Sequence, residues 1–86
     1  MTFLAVSTNT GDPSGLVAEE GARMAELIRS GVVERMWLKA DWSGAVLVLV
    51  TDDEAEARSA VDSLPIARAG LTRFALTPVL VPPAVP

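Results

Sequence analysis

Residues 32–51 read VVERMWLKADWSGAVLVLVT, two strand-forming runs either side of a four-residue break, DWSG at 41–44. In the first run, 32–40, period-two alternation puts Met36, Leu38 and Ala40 on one face and Val33, Arg35, Trp37 and Lys39 on the other. The second run, 45–51, is apolar from Ala45 to Val50, the pattern of a strand covered on both sides. DWSG has the composition of a turn, so the two runs form a hairpin.

Moving toward the N-terminus, Val17, Met24, Leu27 and Ile28 recur at helical spacing, and a helix is expected from Pro13 to about Arg29–Ser30. Asp12 is placed to cap it, Pro13 suits the first helical position, and Gly31 suits the C-terminal cap. Glu20 falls inside the apolar stripe, whereas Glu19 and Glu26 face the opposite way. A strand at 2–8, TFLAVST, and a loop at 9–15, NTGDPSG, precede the helix.

Toward the C-terminus, Asp53 and Glu56 have the spacing of a capping box opening a second helix with apolar face Ala57, Ala60, Val61 and Leu64. Pro65 ends that helix, IARAG at 66–70 reads as a loop, and LTRFALT at 71–77 reads as a fourth strand. Pro78 cannot donate to a ladder, so the strand stops there or lies at a sheet edge. The expected order is βαββαβ, an α+β ferredoxin-like domain over 1–78 with an antiparallel four-stranded sheet and two helices on one face, followed by a proline-rich tail at 79–86. Two helices cover one side of the sheet only. A second copy of the sheet is the simplest cover for the other, which predicts a face-to-face homodimer.

Composition narrows the chemistry. Of 86 residues, 50% are hydrophobic, an apolar balance for so small a domain and a further argument for self-association. The net charge is −4 and the seven basic residues are scattered, which argues against nucleic acid. With no Cys and no His, disulfides, thiolate catalysis, an imidazole base and the usual zinc ligands are all excluded. The acidic group Asp52, Asp53, Glu54 and Glu56 is explained by a helix start, so no metal is expected. The N-terminus has no basic leader and AVLVLV is too short to cross a bilayer, so a soluble cytoplasmic protein is the expectation.

The runs AEEGARMAELIRSG and VVERMWLKADWSGAVLVL, the acidic opening of helix two and SLP at 63–65 together resemble muconolactone isomerase and its small relatives in the dimeric α+β barrel superfamily. The correspondence needs no gap from Ala18 to Ile66. Its most specific points are the helix carboxylate Glu20, Gly31, Trp37 and the Leu64–Pro65 pair. The resemblance implies a homodimer, allows a larger assembly, and implies a cofactor-free proton shift within a small unsaturated substrate. Between Arg35 and Ser43 no His or Tyr stands where that enzyme carries them on and after strand two, so the lactone itself is not carried over.

Each candidate residue has two readings. Glu20 either favours the helix macrodipole from the edge of the stripe, or is a base whose carboxyl pKa is raised by an apolar pocket; the isomerase has a carboxylate at the corresponding place. Arg35 and Lys39 are an ordinary exposed or dimer-facing stripe, or hold a substrate carboxylate or developing enolate. Trp37 and Trp42 are core or interface, or a flat wall against an unsaturated ring. Ser7 and Asn9, at the end of strand one, bond a ligand or close a loop.

The first function is therefore a cofactor-independent isomerase or cyclase acting on a small lactone, organic acid or polyketide-like intermediate. Two others compete with it: a cofactor-free monooxygenase of aromatic polyketides, which the resembled superfamily includes and Trp37 and Asn9 permit, and a non-catalytic small-molecule-binding dimer.

Overall fold

The computed structural model describes residues 1–82. Its elements are β1 (Thr2–Asn9), α1 (Val17–Arg29), β2 (Val33–Leu38), β3 (Ala45–Val50), α2 (Glu54–Asp62), α3 (Pro65–Arg68) and β4 (Thr72–Val79). The strands form one antiparallel sheet in the order β2-β3-β1-β4. The chain thus adopts the ferredoxin-like α+β arrangement.

Burial separates the two faces of the sheet. Phe3 pairs with Leu49 and Ala5 with Leu47, and all four are fully buried against Met24 and Leu27 of α1 and Ala57 and Val61 of α2. Leu4, Val6, Val46 and Val48 alternate with them, point the other way, and are only half-buried. No element of the protomer's described residues covers that open face.

Several local expectations are corrected. Val33 does not share a face with Arg35: it pairs with Leu49 while Arg35 pairs with Val48, so Glu34 is a bulge and Val33 turns into the core. β2 also ends at Leu38, two residues short of the expected Ala40. Asp12 is not the helix cap: its carboxylate closes a local turn by accepting from the Ser14 N–H at 3.0 Å, a 3-10 turn follows at Ser14–Leu16, and α1 begins only at Val17 with no side-chain cap. Gly15 disfavours a continuous helix, and the Leu16 N–H bonds Pro13 O at 2.9 Å to close the tight turn instead. The inward stripe of α1 is consequently Glu20, Arg23, Met24 and Leu27, with Val17 and Ile28 rotated out and exposed.

The expected loop at 66–70 contains α3, with Pro65 at its first position, where a fixed φ and a missing N–H do no harm. β4 runs through Pro78. The Phe74 carbonyl accepts from Arg58 at 2.9 Å, so the polar groups of Phe74 point away from β1, as do those of Leu76 and Pro78 by alternation. The donor that Pro78 lacks lies on the sheet's free edge, where it costs no ladder bond. The tail beyond Val79 lies partly outside the described residues.

The capping box forms with a small shift. Asp53 Oδ1 accepts from Glu56 N–H at 2.8 Å, and the Glu56 carboxylate accepts from the N–H of Asp52, not Asp53, at 3.2 Å. An Asp53→Ala substitution is expected to cost about 1 kcal/mol, a fall in melting temperature of roughly 4–8 °C by calorimetry. An unchanged melting temperature would show that the cap contributes nothing.

Candidate functional site

β1 and β2 finish, and β3 and β4 begin, at one end of the sheet, and there α1 and α3 also start. The candidate residues gather at this end but on different sides of the sheet. Glu20, in the first turn of α1, faces the sheet and is half-buried. Its Oε1 accepts from the Ile66 N–H at 3.0 Å. α3 has no side-chain cap from its own Leu64, so Glu20 caps it from another element. Burial pushes the Glu20 carboxyl above its ordinary value, and the Ile66 hydrogen bond pulls back by less. Among the described residues Oε2 has no hydrogen-bond partner.

Ser7 lies on the same helix-facing side, and its hydroxyl is committed: it accepts from Ala45 N–H at 2.8 Å and donates to Ala45 O at 3.4 Å. It splices itself into the β1–β3 ladder just beyond the last regular pair, Val6 with Val46. Thr72 also faces the helices, as Phe74 and Leu76 do, and among the described residues its buried hydroxyl has no partner. Sequence reasoning passed Thr72 over. The signal was a hydroxyl on the strand's inward positions, Thr72, Phe74 and Leu76, where apolar residues belong.

Arg35, Trp37 and Lys39 stand on the open face. Arg35 pairs with Val48 and Trp37 with Val46, both outward-facing, and the Arg35 guanidinium lies over the Trp37 ring, 5.9 Å from its centroid. Lys39 Nζ donates to Thr8 Oγ1 at 3.3 Å. The sheet therefore separates these three side chains from Glu20, and within one protomer they do not share a pocket with it.

The hairpin joins the two sides. Asn9 Nδ2 donates to the Trp42 carbonyl at 3.4 Å, and Trp42 N–H donates to Lys39 O at 2.9 Å. Trp42 has φ of 64° and is 76% exposed. A bulky residue in the left-handed region costs about 1–3 kcal/mol, and glycine would sit there without strain. Asp41 steadies the turn by accepting from the Ser43 hydroxyl at 2.6 Å and its N–H at 3.0 Å. Those bonds, with a smaller contribution from the charge of Lys39, hold the Asp41 carboxyl below its ordinary value.

Among the described residues no cluster of three or more carboxylates is arranged to hold a metal ion. A shallow cleft of about 560 Å³ lies on the outside of α2 and α3 between Arg58 and Arg68, and a second of about 330 Å³ adjoins Met1 and Leu80. Neither is lined by Glu20.

No helix among the described residues is long and apolar enough to cross a membrane. No protein-family model matches the sequence, and no curated protein matches it significantly. Among solved structures, the chain is similar to 5-chloro-2-hydroxyhydroquinone dehydrochlorinase (TftG) from Burkholderia phenoliruptrix AC1100, in complex with 2,5-dihydroxybenzoquinone, with a TM-score of 0.72 and 21% identity over 93% of this chain and 94% of that one. The likeness shows the ferredoxin-like α+β fold and does not single out muconolactone isomerase.

Proposed function

We propose that the chain is a cofactor-independent enzyme that moves a proton on a small unsaturated organic molecule, an isomerase or cyclase, with Glu20 as its base. The observation that carries this reading is the state of the Glu20 carboxyl: half-buried, raised in pKa by desolvation, anchored through Oε1 and free at Oε2. A base that must take a proton from carbon beside a carbonyl needs a raised pKa and a fixed orientation. Oε2 removes the proton, the electron pair is held as a dienolate, and the same proton returns at the far end of the conjugated system. Thr72 supplies an uncommitted hydroxyl on the same side of the sheet. The neighbour's name is compatible with this, since a dehydrochlorinase removes a proton together with chloride.

The test is solvent deuterium incorporation, followed by NMR, into unsaturated lactones and dihydroxyquinones. Catalysed incorporation supports the base; saturable binding with no exchange favours the non-catalytic reading, in which the Glu20 to Ile66 bond is only a brace for α3. Oxygen uptake would identify the monooxygenase.

The working unit is a homodimer paired through the open face. The support is apolar area without cover: half-buried Leu4, Val6, Val46 and Val48, with Trp37 and Val50 exposed. Sedimentation equilibrium at micromolar concentration is expected to give twice the 9.0 kDa chain mass. A Val48→Asp substitution should return it to a monomer, and a wild-type monomer at that concentration overturns the pairing.

A further inference from the structure

The open face has an uneven charge. Its strand positions carry Arg35 and Arg73, Lys39 follows directly after β2, and none of the chain's eleven acids occupies a paired position there. Glu34, the bulged residue, stands at the opposite end of β2 from Lys39. In a chain of net charge −4, this is a local reversal of sign.

Lys39, Thr8 and Arg73 are neighbours at one end of that face. Lys39 Nζ reaches Thr8 Oγ1 at 3.3 Å, and Thr8 is the cross-strand partner of Arg73. Directly opposed residues hold their Cβ atoms about 5 Å apart, so the side chain of Arg73 starts beside the Lys39–Thr8 pair on the same face. Neither cation has a carboxylate within ion-pair distance: among the described residues the one salt bridge joins Arg23 to Glu26. Asp41, whose carboxyl feels the charge of Lys39, turns its Oδ1 to the N–H and hydroxyl of Ser43 and makes no ion pair with Lys39.

We propose that Lys39, Thr8 and Arg73 form an oxyanion site on the open face, taking a carboxylate or a phosphate, and that its occupancy favours the pairing of two copies. Arg73 supplies a fork that matches two oxygens of the anion, and Lys39 supplies a point charge held in place by Thr8. Each of two apposed faces brings three cations and no paired acid, so a bound anion removes the main electrostatic penalty to contact. The coupling rests on the homodimer proposed above; the site does not.

The test titrates inorganic phosphate, and separately benzoate, into ¹⁵N-labelled protein at fixed ionic strength. Saturable shifts are expected at the amides of Thr8, Lys39 and Arg73, weakened roughly tenfold or more in Lys39→Gln/Arg73→Gln, the loss of two charge-assisted bonds. Tighter benzoate binding with a change in tryptophan fluorescence identifies an aromatic carboxylate as the ligand; equal or weaker binding identifies the oxyanion alone. Absent shifts, or equal shifts in the double variant, overturn the site.

Sedimentation in the same buffers reads the coupling. Phosphate is expected to tighten the wild-type dimer and leave the double variant unchanged. An equal response in both would be the general effect of a kosmotropic salt and would overturn the coupling. A wild type monomeric in every buffer overturns the homodimer and the coupling together, while the amide shifts still decide the site.

Discussion

Glu20→Gln is expected to lower turnover by about 10²–10⁴-fold while leaving the fold intact. The substitution is discriminating because the two proposed jobs of Glu20 use different chemistry. Capping α3 needs an acceptor oxygen, which the Gln carbonyl supplies to the Ile66 N–H in the same place. Proton abstraction needs a carboxylate, which Gln lacks. A variant that melts like wild type but has lost solvent exchange supports the base; one that retains full turnover refutes it.

The pH dependence provides a second readout. Burial raises the Glu20 pKa above 4.5, so the folded chain holds this proton more tightly than the unfolded chain. Between the two values the folded state binds more protons, and stability falls as pH rises through the window. Wild type should therefore lose stability relative to Glu20→Gln as pH climbs from about 4.5 upward through the raised value. The acid limb of activity should follow the same raised value, since the reactive form is the carboxylate. Denaturant midpoints and rates over this range check both.

Gly44→Ala is expected to be the most damaging single-methyl change in the described chain. A Cβ at Gly44 would collide with the Ser7 carbonyl oxygen and lie 2.7 Å from the Ser7 carbonyl carbon. These are backbone atoms of the central strand, so relief requires β1 and β3 to part at the point where the Ser7 hydroxyl replaces a ladder bond. Overpacking against a backbone costs on the order of 3 kcal/mol, equivalent to roughly 12–24 °C in melting temperature for a domain of this size. Gly21→Ala is the control with the opposite sign. Nothing lies within 4 Å of its added Cβ, and it sits in the middle of α1, so it should stabilise by up to about 1 kcal/mol. Equal melting temperatures for the two variants would contradict the packing described at Ser7.

Element order was legible because the patterns were strong: an apolar run at 45–50, a capped helix after it, and a helical stripe before it. The corrections fall where one residue changes the phase. The bulge at Glu34 moves Val33 to the core, and no residue type announces a bulge in a run of alternating side chains. Pro65 was legible as the end of one helix, but the short helix it opens depends on a carboxylate more than 40 residues earlier. The inward aim of Glu20 was likewise visible in the spacing, whereas its contact with Ile66 was not. Arg35, Trp37 and Lys39 were correctly grouped on one strand face, yet whether that face looks toward Glu20 depends on how the helices cross the sheet. Thr72 went unnoticed because its significance is the lack of a partner, a property of packing.

The strand order has a consequence for how the chain is made. β1 is central, flanked by β3 and β4, and its ladder with β4 joins Thr2 to Val79 at opposite ends of the sequence. During synthesis β1 leaves the ribosome before β3 and β4 and waits for every other described element to emerge before its second neighbour exists. Until then the nascent protein carries an unsatisfied strand edge next to Phe3 and Ala5, and this late, long-range closure is a slow kind of step. A chain stalled before Thr72 would present that edge to any passing strand, so chaperone demand should drop abruptly once β4 has emerged.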